Sequence, residues 1–174
     1  MNLIDFTLKW PLLSATPLNR WVHNDAKMLI IGDAAHAMVP YMSQGKYLNR
    51  PKYNEPELIR LHTGAAMAVE DAAALAAVLD RLSEKSELSR ALSVFERVRK
   101  LRTSQMQEAS LVNAKLWHFA DGPEQQARDA AMAAEVQGLH FIESPNQWSD
   151  PQTQIWCYGY NAEEEVLKAW IAEE

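Results

Sequence analysis

Met28-Leu-Ile-Ile-Gly-Asp-Ala-Ala-His-Ala-Met-Val-Pro40 is the stretch on which the fold turns. Its first four residues are a continuous apolar, β-prone run stopped by Gly32-Asp33. That pattern predicts a short strand buried on both faces. An acidic side chain follows at the strand's C-terminal edge, where ligands bind in open α/β sheets. Ala34 and Ala35 are small enough for a ligand to come close, and Asp33 can accept hydrogen bonds from a ligand hydroxyl. The same spacing also fits a plain strand-to-helix turn with Asp33 as its N-cap. A buried strand needs neighbours on both edges, and the chain offers few. Phe6, Leu8 and Trp10 alternate with polar residues before Pro11 ends that run. The predicted sheet is therefore incomplete.

Downstream the periodicity is helical. Residues 65–82 are Ala-rich, with Met67, Leu75, Val78, Leu79 and Leu82 as larger apolar members. Residues 87–120 read as one long amphipathic helix, stopped by Asp121-Gly122-Pro123. Its cations Arg97, Arg99, Lys100 and Arg102 read as a solvated or interdomain face. A further helix is predicted over 124–137 and a short one over 162–172. Residues 139–160 are aromatic and aperiodic, with Trp148, Trp156, Tyr158 and Tyr160 as packing anchors. His36 has no companion ligands at metal spacing, so a structural role is expected and no metal site.

Composition narrows the class. A chain of 174 residues, 48% apolar and 23% charged, is the size of one ordinary domain. The longest apolar run, Ala72 to Leu79, is too short to span a bilayer. No secretory leader is visible, and the single Cys157 excludes an internal disulfide framework. Both fit a cytoplasmic setting. A net charge of -6 argues against nucleic acid as partner. Six tryptophans are many for this length and predict packing against something outside the chain.

Gly32-Asp33-Ala34-Ala35-His36, then Pro40, Gln44-Gly45 and Ala65-Ala66-Met67-Ala68-Val69-Glu70-Asp71-Ala72, resembles the second flavin-binding motif of group A FAD-dependent aromatic monooxygenases. Salicylate hydroxylase and para-hydroxybenzoate hydroxylase belong to that group. Trp10-Pro11-Leu12, Pro17-Leu18, Trp21 and the long Arg-bearing helix are similar to it too. The resemblance covers nearly the whole chain apart from residues 46–64. It implies FAD as cofactor, NADH or NADPH as co-substrate, and an oxygen atom of O2 inserted into an aromatic substrate. By the same resemblance Gly32 and Asp33 meet the ribityl chain and Pro40 lines the ring. A helix start facing the ring would be formed by Gly45 or Gly64, then Ala65, Ala66 and Met67. Unsatisfied amides and the helix dipole favour negative charge there. Ala65 to Ala68 also read as an ordinary packed helix.

The implied fold is an α/β fragment, mostly helical as it stands. It would be the C-terminal half of a glutathione-reductase-like Rossmann monooxygenase fold whose N-terminal βαβ half is missing. None of the six glycines forms GxGxxG. The chain alone is accordingly expected to be inactive. Residues 1–174 thus read as one partial domain, interrupted at 46–64. Deleting Lys46–Gly64 joins Gln44-Gly45 to Ala65-Ala66 and restores the family pattern. Gly-Lys-Tyr can be encoded by a splice-donor sequence, and nineteen codons match a short fungal intron. An unspliced intron and a natural surface loop are the two readings of this segment. The rival to the whole reading is a non-catalytic helical interaction protein keeping a vestigial flavin motif.

Overall fold

In a computed structural model, residues 6–9, 11–42 and 63–173 are described. Trp10, Gln44, Gly45 and residues 46–62 of the suspected insertion lie outside them. The elements are α1 (Asp33–His36), α2 (Thr63–Leu79), α3 (Leu88–Trp117), α4 (Pro123–Ala131), α5 (Ala133–Val136), α6 (Pro151–Tyr158) and α7 (Ala162–Ile171). Short 3-10 turns cover Pro40–Met42 and Lys85–Glu87.

The strand predicted over 28–31 does not form. Among the described residues there is no β-strand, only an isolated antiparallel bridge between Val22 and Leu29. His23 N–H donates to Met28 O (2.8 Å) and Ile30 N–H to Trp21 O (3.0 Å). Met28 is 62% exposed, and Leu29, Ile30 and Ile31 are half-buried against the core. A strand's backbone is satisfied only by its neighbours. Residues 21–23 are the one neighbour the described chain supplies. Their outer edge is closed by Glu96 of α3, which accepts from Trp21 N–H (3.0 Å) and Val22 N–H (3.2 Å). Phe6 and Leu8 are exposed and carry no strand either. The described residues are mostly helical, as expected of the fragment, and include none of the strands of an α/β sheet.

That body is α2, α3 and α7 packed on one another. Its core holds Trp21, Ala74, Val78, Phe95, Val166 and Trp170, all buried. The Lys85–Glu87 turn leads into α3 through a capping box between Glu84 and Glu87. Asn161 caps α7 by accepting from the amides of Glu163 and Glu164. The single helix expected over 124–137 is split at Met132, which closes α4 with φ -89° and ψ -1°. Helix α6 falls in the stretch read as aperiodic.

The five described tryptophans each have a partner within the chain, although Trp148 stays 42% exposed. Trp21 lies against His36 and Phe95, with ring centroids 5.3 and 6.3 Å away. Trp117 and Trp148 pair at 5.4 Å. The Arg90 guanidinium covers Trp170 at 3.8 Å, and that of Arg102 covers Trp156 at 4.6 Å.

Candidate functional site

Gly32 has φ +62°, a left-handed conformation that L side chains rarely adopt. A Cβ there would sit 3.4 Å from the Ala68 Cβ of α2. The backbone conformation, rather than a lack of room, asks for glycine here. Gly32 N–H donates to Asp71 Oδ2, also on α2 (2.9 Å). Gly32 occupies the cap position of α1, so Asp33 is not its N-cap but its first helical residue. The Asp33 and Ala34 side chains are exposed. Among the described residues the Asp33 carboxylate has no hydrogen-bonding partner.

Ala68, which Gly32 approaches, lies about one helical turn from Ala65. The Asp33 turn therefore stands against the second and third turns of α2. With Thr63 as the first helical residue, the amides of Thr63, Gly64 and Ala65 lack an acceptor within the helix. Ala65 is exposed and Ala66 half-buried. The Met67 side chain is fully buried and packs with Met42, Met106 and Cys157, so only its backbone faces toward the helix start.

The loop carrying Pro40 is held from α3. Gln107 Nε2 donates to Ala37 O (3.1 Å), Ser110 Oγ to Val39 O, and Asn113 Nδ2 to Tyr41 O (2.8 Å). Every second loop carbonyl is met by a polar side chain three helical residues further on. Trp148 Nε1 adds a second bond to Tyr41 O (2.8 Å). Pro40 itself is exposed at the start of its 3-10 turn. Met42, two residues on, joins the loop to Met67 of α2.

Beneath these segments lies a buried charge network. Asp71 Oδ2 accepts from His36 Nε2 (2.6 Å) as well as from Gly32, and Asp71 Oδ1 accepts from Arg99 Nε (2.8 Å). Arg99 Nη1 donates to Glu70 Oε2 (2.7 Å) and Nη2 to Met67 O (3.3 Å). Arg102 bonds Glu70 and the carbonyls of Trp156 (3.2 Å) and Cys157 (3.0 Å). Two guanidiniums face two carboxylates. Burial works to raise the Asp71 carboxyl, but the donors from His36, Gly32 and Arg99 outweigh it and hold its pKa below the usual carboxylate range. Burial also works against the Arg99 charge, and Glu70 and Asp71 more than restore it.

Arg99 and Arg102 are thus interior, not part of a solvated face; Arg97 alone of the three arginines points out, to Glu173. The signal was present. Residues 95, 99, 102 and 106 recur at steps of four, three and four, placing both cations on the stripe of buried Phe95 and Met106. Glu70 and Asp71 do not form an acid/base pair, yet both reach the same guanidinium. Among the described residues no cluster of His, Cys, Asp and Glu is arranged to hold a metal. Of the residues singled out in the sequence, Gly32, Asp33, Pro40, Ala65, Ala66 and Met67 gather around the first half of α2. Gly64 lies in its first turn, and Gly45 is outside the described residues.

No family model matches the chain. It is 32% identical over 154 residues to FAD-dependent monooxygenase OpS4 of Beauveria bassiana, covering 88% of this chain and 31% of that protein. It is 36% identical over 117 residues to asperlicin C monooxygenase of Petromyces alliaceus, covering 67% and 21%. Its curated relatives are fungal FAD-dependent monooxygenases. A third, atnJ of an Arthrinium species, is 34% identical over 119 residues, covering 68% and 23%. The resemblance to an FAD-dependent monooxygenase, an oxidoreductase, therefore extends over most of the chain. The chain spans about a third or less of the relatives it matches, and the match falls in their C-terminal part.

Proposed function

We propose that this chain supplies the ribityl- and ring-facing side of an FAD site in a flavoprotein monooxygenase. The observation that supports the reading is the seating of the Gly32 turn, next to Asp33, on the first half of α2 at Ala68 and Asp71. The residues suit the group. Asp33 offers an exposed carboxylate without a described partner, and Ala34 and Ala65 leave room. The first amides of a seventeen-residue helix have no acceptor within that helix. When bound, FAD supplies redox chemistry and O2 activation. Asp33 accepts a hydrogen bond from a ribityl hydroxyl. The amide of Ala65 and the dipole of α2 favour negative charge near the ring. The loop held by Gln107, Ser110 and Asn113 presents Pro40 as a wall.

In the whole protein we assign this site to the group A type, using NADH or NADPH and O2 on an aromatic substrate. This chain alone is read as inactive. Cytoplasmic residence belongs to the same proposal, supported by a lone buried Cys157 whose thiol burial pushes up to about 11. Residues 46–64 are proposed to be a retained intron, which spliced-transcript sequencing across codons 40–70 checks; a main transcript keeping the 57 nucleotides would refute it.

The deciding experiment is addition of excess FAD to the purified chain. The visible flavin band is expected to co-elute with protein, and the melting temperature to rise. Asp33→Ala is expected to weaken binding about tenfold, the worth of one hydrogen bond to a charged group. Colourless protein with an unmoved melting temperature would instead favour the helical interaction protein.

A further inference from the structure

We propose that Asp71 is the positioning residue of this site, setting the direction of Asp33 from beneath. The inference rests on the reading that Asp33 meets FAD. Helix α1 has four residues, too few to hold itself in water. Its internal bonds are the Ala35 and His36 amides donating to Gly32 O, both at 2.9 Å. Ala35 packs in the core and Trp21 lies against the His36 ring, while the polar ties at the two ends of α1 converge on Asp71 Oδ2. Gly32 N–H, ahead of the helix, and the His36 ring, at its end, bond that same oxygen. Asp33 stands between the two tied ends. The carboxylate is kept from rotating because its other oxygen takes Arg99 Nε, and Arg99 is fastened to Glu70 and to Met67 O. His36 and Asp71 are fully buried, so water does not compete for these bonds. One carboxylate thereby relates the Asp33 turn to the same helix whose first amides would face the ring. A separation of labour follows: Asp33 is exposed to touch the ligand, and Asp71 is hidden and touches only the elements that aim it.

A double-mutant cycle tests this on the 174-residue chain, with FAD titration and thermal unfolding on wild type, Asp33→Ala, Asp71→Asn and the double variant. A group acting through Asp33 loses its effect once Asp33 is gone. Asp71→Asn is expected to weaken FAD binding about tenfold with Asp33 present and less than about twofold without it. Its drop in melting temperature should be the same in both backgrounds. An equal loss of FAD affinity in both, or none in either, would overturn the proposal. Should Asp71→Asn fail to fold, Arg99→Lys keeps the buried charge while freeing Asp71 Oδ1, and the same coupling is expected at smaller size. Hydrogen exchange without FAD separates this proposal from the flavin reading. The Ala35 and His36 amides should lose protection at least about tenfold in either variant, while those of Val94 and Val166 keep theirs. If wild type binds no FAD but the exchange result holds, the flavin reading fails and Asp71 still sets the turn. Unchanged protection at Ala35 and His36 sinks the positioning role itself.

Discussion

Residues 11–31 and the α2–α3–α7 body are both rich in large apolar side chains, and they end differently. In the helices each interior N–H finds its acceptor four residues back, so only one face must be buried, and α2, α3 and α7 bury it on one another. In residues 11–31 the backbone has no such local solution. It is fastened at scattered points, Ala15 N–H to Ala37 O (2.9 Å) and Trp21 and Val22 to Glu96, while Leu12 and Leu13 stay exposed. A helical pattern carries its own hydrogen-bond partners; a strand pattern only states that partners are wanted.

The sharpest way to break this contrast is Phe95→Ala. Phe95 has no exposed surface and sits among Trp21, Val78 and Val166. Its truncation is expected to cost about 3–5 kcal/mol, from lost transfer energy and the cavity left behind. Urea unfolding reads it directly. A loss below about 1 kcal/mol would mean that the helical body does not owe its stability to this core.

Acid probes the body's charged interior rather than its apolar one. The folded Asp71 carboxyl titrates below its ordinary value of 3.8: burial would raise it, and the donors from His36, Gly32 and Arg99 more than reverse that. A depressed folded pKa gives stability that is fully present above the unfolded value and lost as pH falls through the folded one. The urea midpoint should therefore hold from pH 7 to about 5 and decline below about 4. In Asp71→Asn the curve starts lower and its acid limb is shallower. It is not flat, because Asp150, whose own carboxyl burial would raise but the donors from Thr153, Ser144 and Gln152 together hold low, still titrates. An acid limb as steep as wild type would show that the buried network does not govern acid stability.

What the sequence made legible follows the same line. The spacing that predicts helices over 65–82 and 87–120 meets α2 and α3, because one apolar face suffices to locate a helix. The run Met28 to Ile31 misleads, since its pattern describes a strand's burial but not the neighbours that make it. Helix α6 was readable in principle: Asp150 caps it through Thr153 N–H (2.8 Å) and Pro151 takes its first position. The aromatic residues around it masked that start signal. At the site, the Gly32-Asp33 turn and the α2 start were visible as a motif. The buried pairing of Asp71 with Arg99 was not, because a charged side chain reads as solvent-facing. Each carries its compensation on another helix, and pairing across helices has no sequence period. The 3.6-residue stripe holding Phe95, Arg99, Arg102 and Met106 was the available clue.

The smallest expected effect lies in the other half of the comparison. Leu13 is 74% exposed, and the nearest described tie of its segment to the body runs through Ala15. Leu13→Ser should change the unfolding free energy by no more than about 0.5 kcal/mol, as for a surface position with no buried contact to lose. Removing an exposed leucine in fact lowers the apolar area in contact with water, so solubility should improve rather than fall. A cost above about 1 kcal/mol would show that Leu13 is buried in solution. The exposed row would then have found a covering surface, and the division between a self-sufficient helical body and a partner-seeking lead-in would have to be redrawn from residue 13 outward.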